Sequence, residues 1–376
     1  MPTESSPASE LEPVEATHAI PAAERPAIRI TSPIKLLNLV PYMLGFQSDD
    51  SAVIIGGKEP GASANVLLRI PLDRLAEPVV AAVCARRMVR ILTAQKYAKA
   101  VVVGYGPKDR VTPFAGRFRD LAVEQGIEVP EILRVQDGRF WSYRCIDPAC
   151  CPPEGTPYEL ADDPELEHLL PVGASGVLQS REDLAARIAP ATGTEATAVR
   201  RAIIRAEARV ARLLNRKPTS AAQPSGRALV IAEGIDAGQA AIARFQLGGD
   251  ITPDEAAWLT VSFREIQVRD DFWCRLEPEG RQQNLRLLIE LTRLARSPYV
   301  APAASLLAFV AWQSGNGALA NLALDRALDD RPEYSMAEMV RTALDAGAPP
   351  ELARVPATPE EVAEMYAERA GKGAER

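Results

Sequence analysis

Behind Pro33 the apolar side chains Ile34, Leu36, Leu37 and Val40 fall at the spacing of one helical face. Thr31 or Ser32 can cap that helix, and Pro33 suits its first position. Pro41 is expected to interrupt it and Gly45 to end it. Two aliphatic runs follow, Ser51 to Ile55 and Val66 to Ile70, and the glycine-rich stretch from Gly56 to Gly61 between them reads as a hairpin turn. From Leu75 to Gln95 the stripe Val80, Cys84, Met88 and Ile91 marks a long amphipathic helix. Ala100 to Val103 reads as a strand, Pro113 to Gln125 as a helix stopped at Gly126, and Val129 to Val135 as another strand. That alternation predicts an α/β domain with a mixed, partly parallel sheet. Asp137-Gly138 is a two-residue turn signal joining Ile132–Val135 to Phe140–Cys145 in a hairpin.

The pattern then changes. Ser180 caps a short helix at Arg181, and Val199 to Leu214 is helical again. Lys217 to Arg227, rich in Pro, Ser and Gly, is a candidate boundary. Beyond it helices are expected from Thr252 to about Val268, and over Arg281–Arg296, Pro302–Gln313, Gly317–Asp329 and Ser335–Ala346. No strand is read after residue 232, and one more helix is expected beyond Pro356. The expected organisation is a disordered acidic tail (1–27), an α/β domain (28–190), a helical connector and linker (191–227), an all-α domain (228–350) and a charged, partly helical tail (351–376).

Composition narrows the functional classes. With 376 residues and 47% hydrophobic content the chain can bury two or three cores. No apolar run reaches the roughly 18 residues that span a bilayer, so no membrane partner is expected. The segment Met1 to Arg25 lacks the basic and apolar regions of a signal peptide, which implies a cytoplasmic protein with reduced cysteines. A net charge of -7 argues against an obligate nucleic-acid binder. The one basic face, Arg200, Arg201, Arg205, Arg209, Arg212 and Arg216, could meet nucleic acid or an acidic partner, although charge runs are usually solvated surface.

The candidate chemistry centres on Trp141-Ser142-Tyr143-Arg144-Cys145 and the following Cys150-Cys151-Pro152-Pro153-Glu154-Gly155-Thr156-Pro157. Three thiols beside a rigid turn suggest a metal site, a redox pair or a nucleophile. Structural zinc wants four ligands, and Cys145, Cys150 and Cys151 would need His168 or a carboxylate such as Asp147 as the fourth. Adjacent cysteines also tend to diverge. A cysteine nucleophile needs a base, and His168 is the one histidine outside the N-terminal tail. The balance therefore favours buried thiols packing a tight turn, with no cofactor predicted and zinc as the alternative. Gly104-Tyr105-Gly106 lacks the third glycine of a dinucleotide fingerprint, and Gly56-Gly57-Lys58 lacks the spacing of a P-loop, so both read as turns. Leu307, Ala308, Gly315, Ala320, Leu324, Ala327 and Pro332 are spaced like one tetratricopeptide helix pair, whereas an array needs about three.

Several of these segments together resemble an actinobacterial family known as domain of unknown function 4192. They are Ser32-Pro33 to Leu37, Val40 to Phe46 with Asp50-Ser51-Ala52-Val53, the Trp141–Pro157 cysteine segment, Val268-Arg269-Asp270, and Gly315–Ala320 with Leu324–Leu328. The resemblance covers about residues 28 to 348, and departs from it where Gln47-Ser48 stand in place of an expected His-Pro. It implies a fold but no activity. The leading expectation is a binding or scaffold protein whose helical half recruits a protein partner. The rival is a hydrolase or transferase using Tyr143, Cys145, Cys150 and Cys151.

Overall fold

The computed structural model describes residues 15–17, 32–58, 66–217, 220, 223–355 and 357–374. The chain divides into two units: Met1–Leu44, Ser48–Leu169 and Arg341–Ala348 form the first, and Gly45–Gln47, Leu170–Val340 and Pro349–Arg376 the second.

The first unit is built on a seven-stranded sheet. Its strands are β1 (Glu15–Thr17), β2 (Ser51–Gly57), β3 (Val66–Pro71), β4 (Lys99–Tyr105), β5 (Ile132–Gln136), β6 (Arg139–Ser142) and β7 (Thr156–Pro157), in the order β1-β3-β2-β4-β5-β6-β7. Only β4 and β5 pair in parallel, Val102 opposite Ile132, and helix α3 (Lys108–Glu124) makes the crossover between them. β1 falls in the stretch expected to be a disordered tail: these three residues form an edge strand on β3, while the rest of 1–27 lies outside the described residues. The β2–β3 connection at 59–65 also lies outside them.

Period-two alternation sends Ala52, Ile54, Leu68, Ile70, Val102 and Ile132 into one core with Ala85, Met88 and Leu92 of α2 (Pro78–Ala94) and Phe114 and Phe118 of α3. The Gly56-Gly57 and Gly104 positions are strand residues and not turns. A Cβ on Gly56 would stand 2.8 Å from Val66 Cγ1, and one on Gly104 only 2.2 Å from Val111 Cγ1. These glycines let side chains of the neighbouring strand and helix lie directly on the sheet.

Two prolines behave differently from expectation. Helix α1 (Pro33–Leu44) runs through Pro41 and ends at Gly45 with φ +81. A proline inside a helix costs about 3 kcal/mol. Here Leu36, Leu37 and Leu39 to Leu44 are all buried, and each large side chain recovers about 1.5–3 kcal/mol. Helix α3 likewise starts at Lys108, behind Pro107, and carries Pro113 inside it, because Val111 before that proline is as deeply buried as Phe114 after it.

The second unit is helical among the described residues: α4 (Arg181–Ala186), α5 (Gly193–Leu214), α6 (Gly226–Gln246), α7 (Pro253–Ser262), α8 (Ile266–Cys274), α9 (Arg281–Leu294), α10 (Val300–Gln313) and α11 (Gly317–Asp330). Helix α12 (Ser335–Asp345) begins in this unit and ends in the first, and α13 (Pro359–Ala374) belongs to the second. No helix was expected at α6. Its glycines mask it in sequence, yet they are where α8 packs: Cβ atoms on Gly234 and Gly238 would lie 2.9 Å from Val268 Cγ1 and Phe272 Cδ2. The single helix expected over 252–268 is broken at 263–265, and the break lets Phe263 and Phe272 meet edge-on at 5.2 Å. The Val268-Arg269-Asp270 segment has a packing role here. Arg269 bonds Asp270 and the Tyr334 hydroxyl, and Tyr366 of α13 donates to Asp270 Oδ2 at 2.8 Å.

Helices α10 and α11 form a hairpin closed by Asn316, whose Oδ1 accepts the Leu319 N–H at 3.0 Å. Every residue of α10 is buried, so this pair is the centre of the helical unit. No helix among the described residues is long and apolar enough to cross a membrane.

Candidate metal centre

The cysteine segment leaves the sheet from the β5–β6 hairpin. Asp137 and Gly138 take φ +50 and +68, the positive angles of a tight two-residue hairpin turn, and so fix the register of Gln136 opposite Arg139 and Arg134 opposite Trp141. That pairing stacks the Arg134 guanidinium on the Trp141 ring at 3.5 Å. The register was available from the Asp-Gly signal, since a two-residue turn determines every pair behind it.

From β6 onward the loop is tied at both ends. Tyr143 N–H donates to the Ile132 carbonyl at 2.9 Å, and the Tyr143 and Thr112 hydroxyls are 2.6 Å apart. Ser142 Oγ donates to Glu131 Oε1 at 2.8 Å and accepts the N–H groups of Arg144 and Cys145. On the return, Trp141 Nε1 donates to the Pro153 carbonyl at 2.9 Å, and Arg139 donates to the Gly155 carbonyl at 2.8 Å. Gly155, at φ +86, lies under the indole, where a Cβ would come within 2.5 Å of Trp141 Cε2. Only glycine combines that dihedral with that approach.

Between these anchors the chain turns on Asp147. Its carbonyl accepts the N–H groups of Cys150 at 3.1 Å and Cys151 at 2.7 Å, and its Oδ1 accepts the Ala149 N–H at 2.9 Å. The turn brings the Sγ atoms of Cys145, Cys150 and Cys151 to within 4.8 Å of one another. The neighbours Cys150 and Cys151 therefore converge, against the expectation that adjacent cysteines diverge, because the Asp147 turn curls both toward Cys145. Nor are the thiols core residues. Cys150 is exposed and the other two are half-buried.

Their acidities differ. The Asp147 N–H, followed by the Cys151 thiol, holds Cys145 below the ordinary thiol range. Desolvation, followed by hydrogen bonding to Cys145 and Cys150, pushes Cys151 up to about 12.

The other candidates stand elsewhere. His168 is exposed on the 3₁₀ turn Pro164–Leu169 and is not among the groups that meet at the thiols. Among the described residues no carboxylate joins them either. The Tyr143 ring packs against the α2–α3 core. The basic face of α5 is partly neutralised: Arg205 pairs with Asp254 at 2.6 Å, and Arg209 pairs with Glu233 at 2.7 Å while lying over Trp258. Sequence reasoning missed Glu131 and Arg134, ordinary polar residues whose roles depend on the loop's three-dimensional path, and weighed Asp147 as a ligand where it shapes the turn instead.

A mixed α/β unit bearing a thiol-lined loop and a helical unit with a buried central hairpin define a two-part architecture. Residues 33–351 match the family model described as a domain of unknown function (DUF4192), and the chain belongs to that family. No curated protein and no solved structure matches it.

Proposed function

We propose that this protein binds a soft metal ion through Cys145, Cys150 and Cys151. The observation that carries the reading is the convergence of the three Sγ atoms within 4.8 Å. A metal–sulfur distance of about 2.3 Å places coordinating sulfurs about 3.8–4.0 Å apart, so each thiol need move by less than about 1 Å. Thiolates select soft ions, and the loop that carries them is already ordered by hydrogen bonds, which lowers the entropy lost on binding. The reading takes the protein to be cytoplasmic, where thiols stay reduced.

The test is titration of the reduced full chain with Co²⁺, read by sulfur-to-cobalt charge-transfer absorption in the near ultraviolet. One equivalent should saturate the band, and Cys145→Ser, Cys150→Ser and Cys151→Ser should each abolish it. A chain that develops no such band, or keeps it in all three variants, would overturn the reading.

A hydrolase or transferase at the same loop has less support, since the Tyr143 hydroxyl is bonded to Thr112 and no imidazole joins the thiols among the described residues. Recruitment of a protein partner by the helical unit is a second reading. With α10 buried, the outer helices would present the surface, and Ile204, Leu247 and Ile266 are exposed there. Replacing all three by Lys should release a partner that the unaltered chain retains in a pull-down; unchanged retention would count against this surface.

A further inference from the structure

We propose that the thiol loop is a three-sulfur site suited to monovalent copper over zinc, an inference that rests on the metal-binding reading above. The ligand count decides between the ions. Structural zinc is held by four protein ligands in a tetrahedron, and a three-ligand zinc must take water or an outside group as its fourth. Copper(I) is soft and is satisfied by thiolates at low coordination number. Here three sulfurs meet, and among the described residues no imidazole or carboxylate meets them.

The nearby groups that could supply a fourth ligand are committed elsewhere. The Asp147 carboxylate accepts the Ala149 N–H at 2.9 Å and helps shape the turn that gathers the cysteines. Glu131 accepts the Ile132 N–H and the Ser142 hydroxyl, both at 2.8 Å, and so holds the start of the loop. Neither carboxylate lies with the three sulfurs. His168 lies exposed on a separate segment.

The loop is also placed to exchange its metal. Cys150 is exposed, and Ile146 at the loop tip is 96% exposed, so an incoming ion reaches the sulfurs without opening a core. Binding transfers the ion from a soluble chelate to the thiolates; the thiol protons pass to solvent, and copper stays in the +1 state.

The experiment uses the full-length chain, reduced and anaerobic. Copper(I) is delivered against bicinchoninate and zinc against a colorimetric chelator, and the copper complex is examined by X-ray absorption. One equivalent of copper should bind in a single shell of three sulfurs and displace zinc. Each of Cys145→Ser, Cys150→Ser and Cys151→Ser should weaken copper at least 100-fold, while His168→Ala and the double variant Cys84→Ser/Cys274→Ser should leave it unchanged. A copper shell of two sulfurs, or zinc held by four protein ligands with one lost in His168→Ala, would overturn the copper proposal and leave metal binding standing. Binding of neither ion would overturn both.

Discussion

Substituting Gly104 by alanine tests the central contact of the α/β unit. Gly104 lies in β4 between β2 and β5, and Val111 of α3 is fully buried on top of it. The new methyl would stand 2.2 Å from Val111 Cγ1, 3.0 Å from Cγ2 and 3.2 Å from Cβ. Carbon atoms in contact are about 3.5–4.0 Å apart, so α3 must lift from the sheet or Val111 must leave its rotamer. Overpacking of this size costs about 3 kcal/mol, and about 2–4 °C per kcal/mol gives a melting temperature lower by about 6–12 °C. Val111→Ala alone removes two buried methyls and should cost about 2 kcal/mol. Combining the two leaves only the Cβ contact near 3.2 Å, so the double variant should be about as stable as Val111→Ala by itself. Urea unfolding followed by far-ultraviolet circular dichroism gives the three free energies and a coupling of at least 2 kcal/mol. A Gly104→Ala penalty below about 0.5 kcal/mol, or strict additivity in the double variant, would refute the close-packing explanation.

Gly155→Ala should loosen the thiol loop: the left-handed backbone adds about 1–2 kcal/mol, and the methyl displaces the Trp141 ring from Pro153 and Arg134. Faster thiol labelling and a shifted tryptophan emission are the expected readouts, and wild-type labelling rates would contradict this. Arg269→Ala leaves the Asp270 carboxylate with Tyr366 as a remaining partner and removes the tie to Tyr334, for a loss of about 2 kcal/mol in thermal unfolding. Glu255→Gln should cost up to about 1 kcal/mol at pH 7: glutamine can keep the capping box of α7 but loses the negative charge that pairs with Arg244 and suits the helix N-terminus. Burial raises the Glu255 pKa, but hydrogen bonds from Thr252 and the pairing with Arg244 outweigh it and hold the carboxyl below its usual 4.5. Its stabilisation is therefore present above the unfolded value and lost as pH falls through the lower folded value. The gap in melting temperature between Glu255→Gln and wild type should close in acid, once pH has fallen through that lower value. A gap that persists there would show that the charge is not the source of the effect.

Much of the fold is legible in local signals. Ser180 does cap its helix, Asp137-Gly138 does set a hairpin, and Thr252 with Glu255 does open α7, because each acts on backbone groups within three residues of itself. Elements whose cause lies far along the chain were not legible. Pro41 and Pro113 inside helices, and the glycine-bearing α6, oppose local propensity and persist because burial against distant segments outweighs it.

The cysteine loop divides the same way. By itself the sequence determined that three thiols sit beside a Pro- and Gly-restricted turn behind a fixed-register hairpin, and that His168 is the one histidine outside the N-terminal tail. Only the tertiary structure decided that neighbouring cysteines converge with Cys145, that His168 stays apart, and that Tyr143 turns to Thr112. The reason is physical. Spacing along a chain limits which side chains can meet, whereas the hydrogen bonds of Asp147 and Glu131 and the stacking on Trp141 determine which of them do.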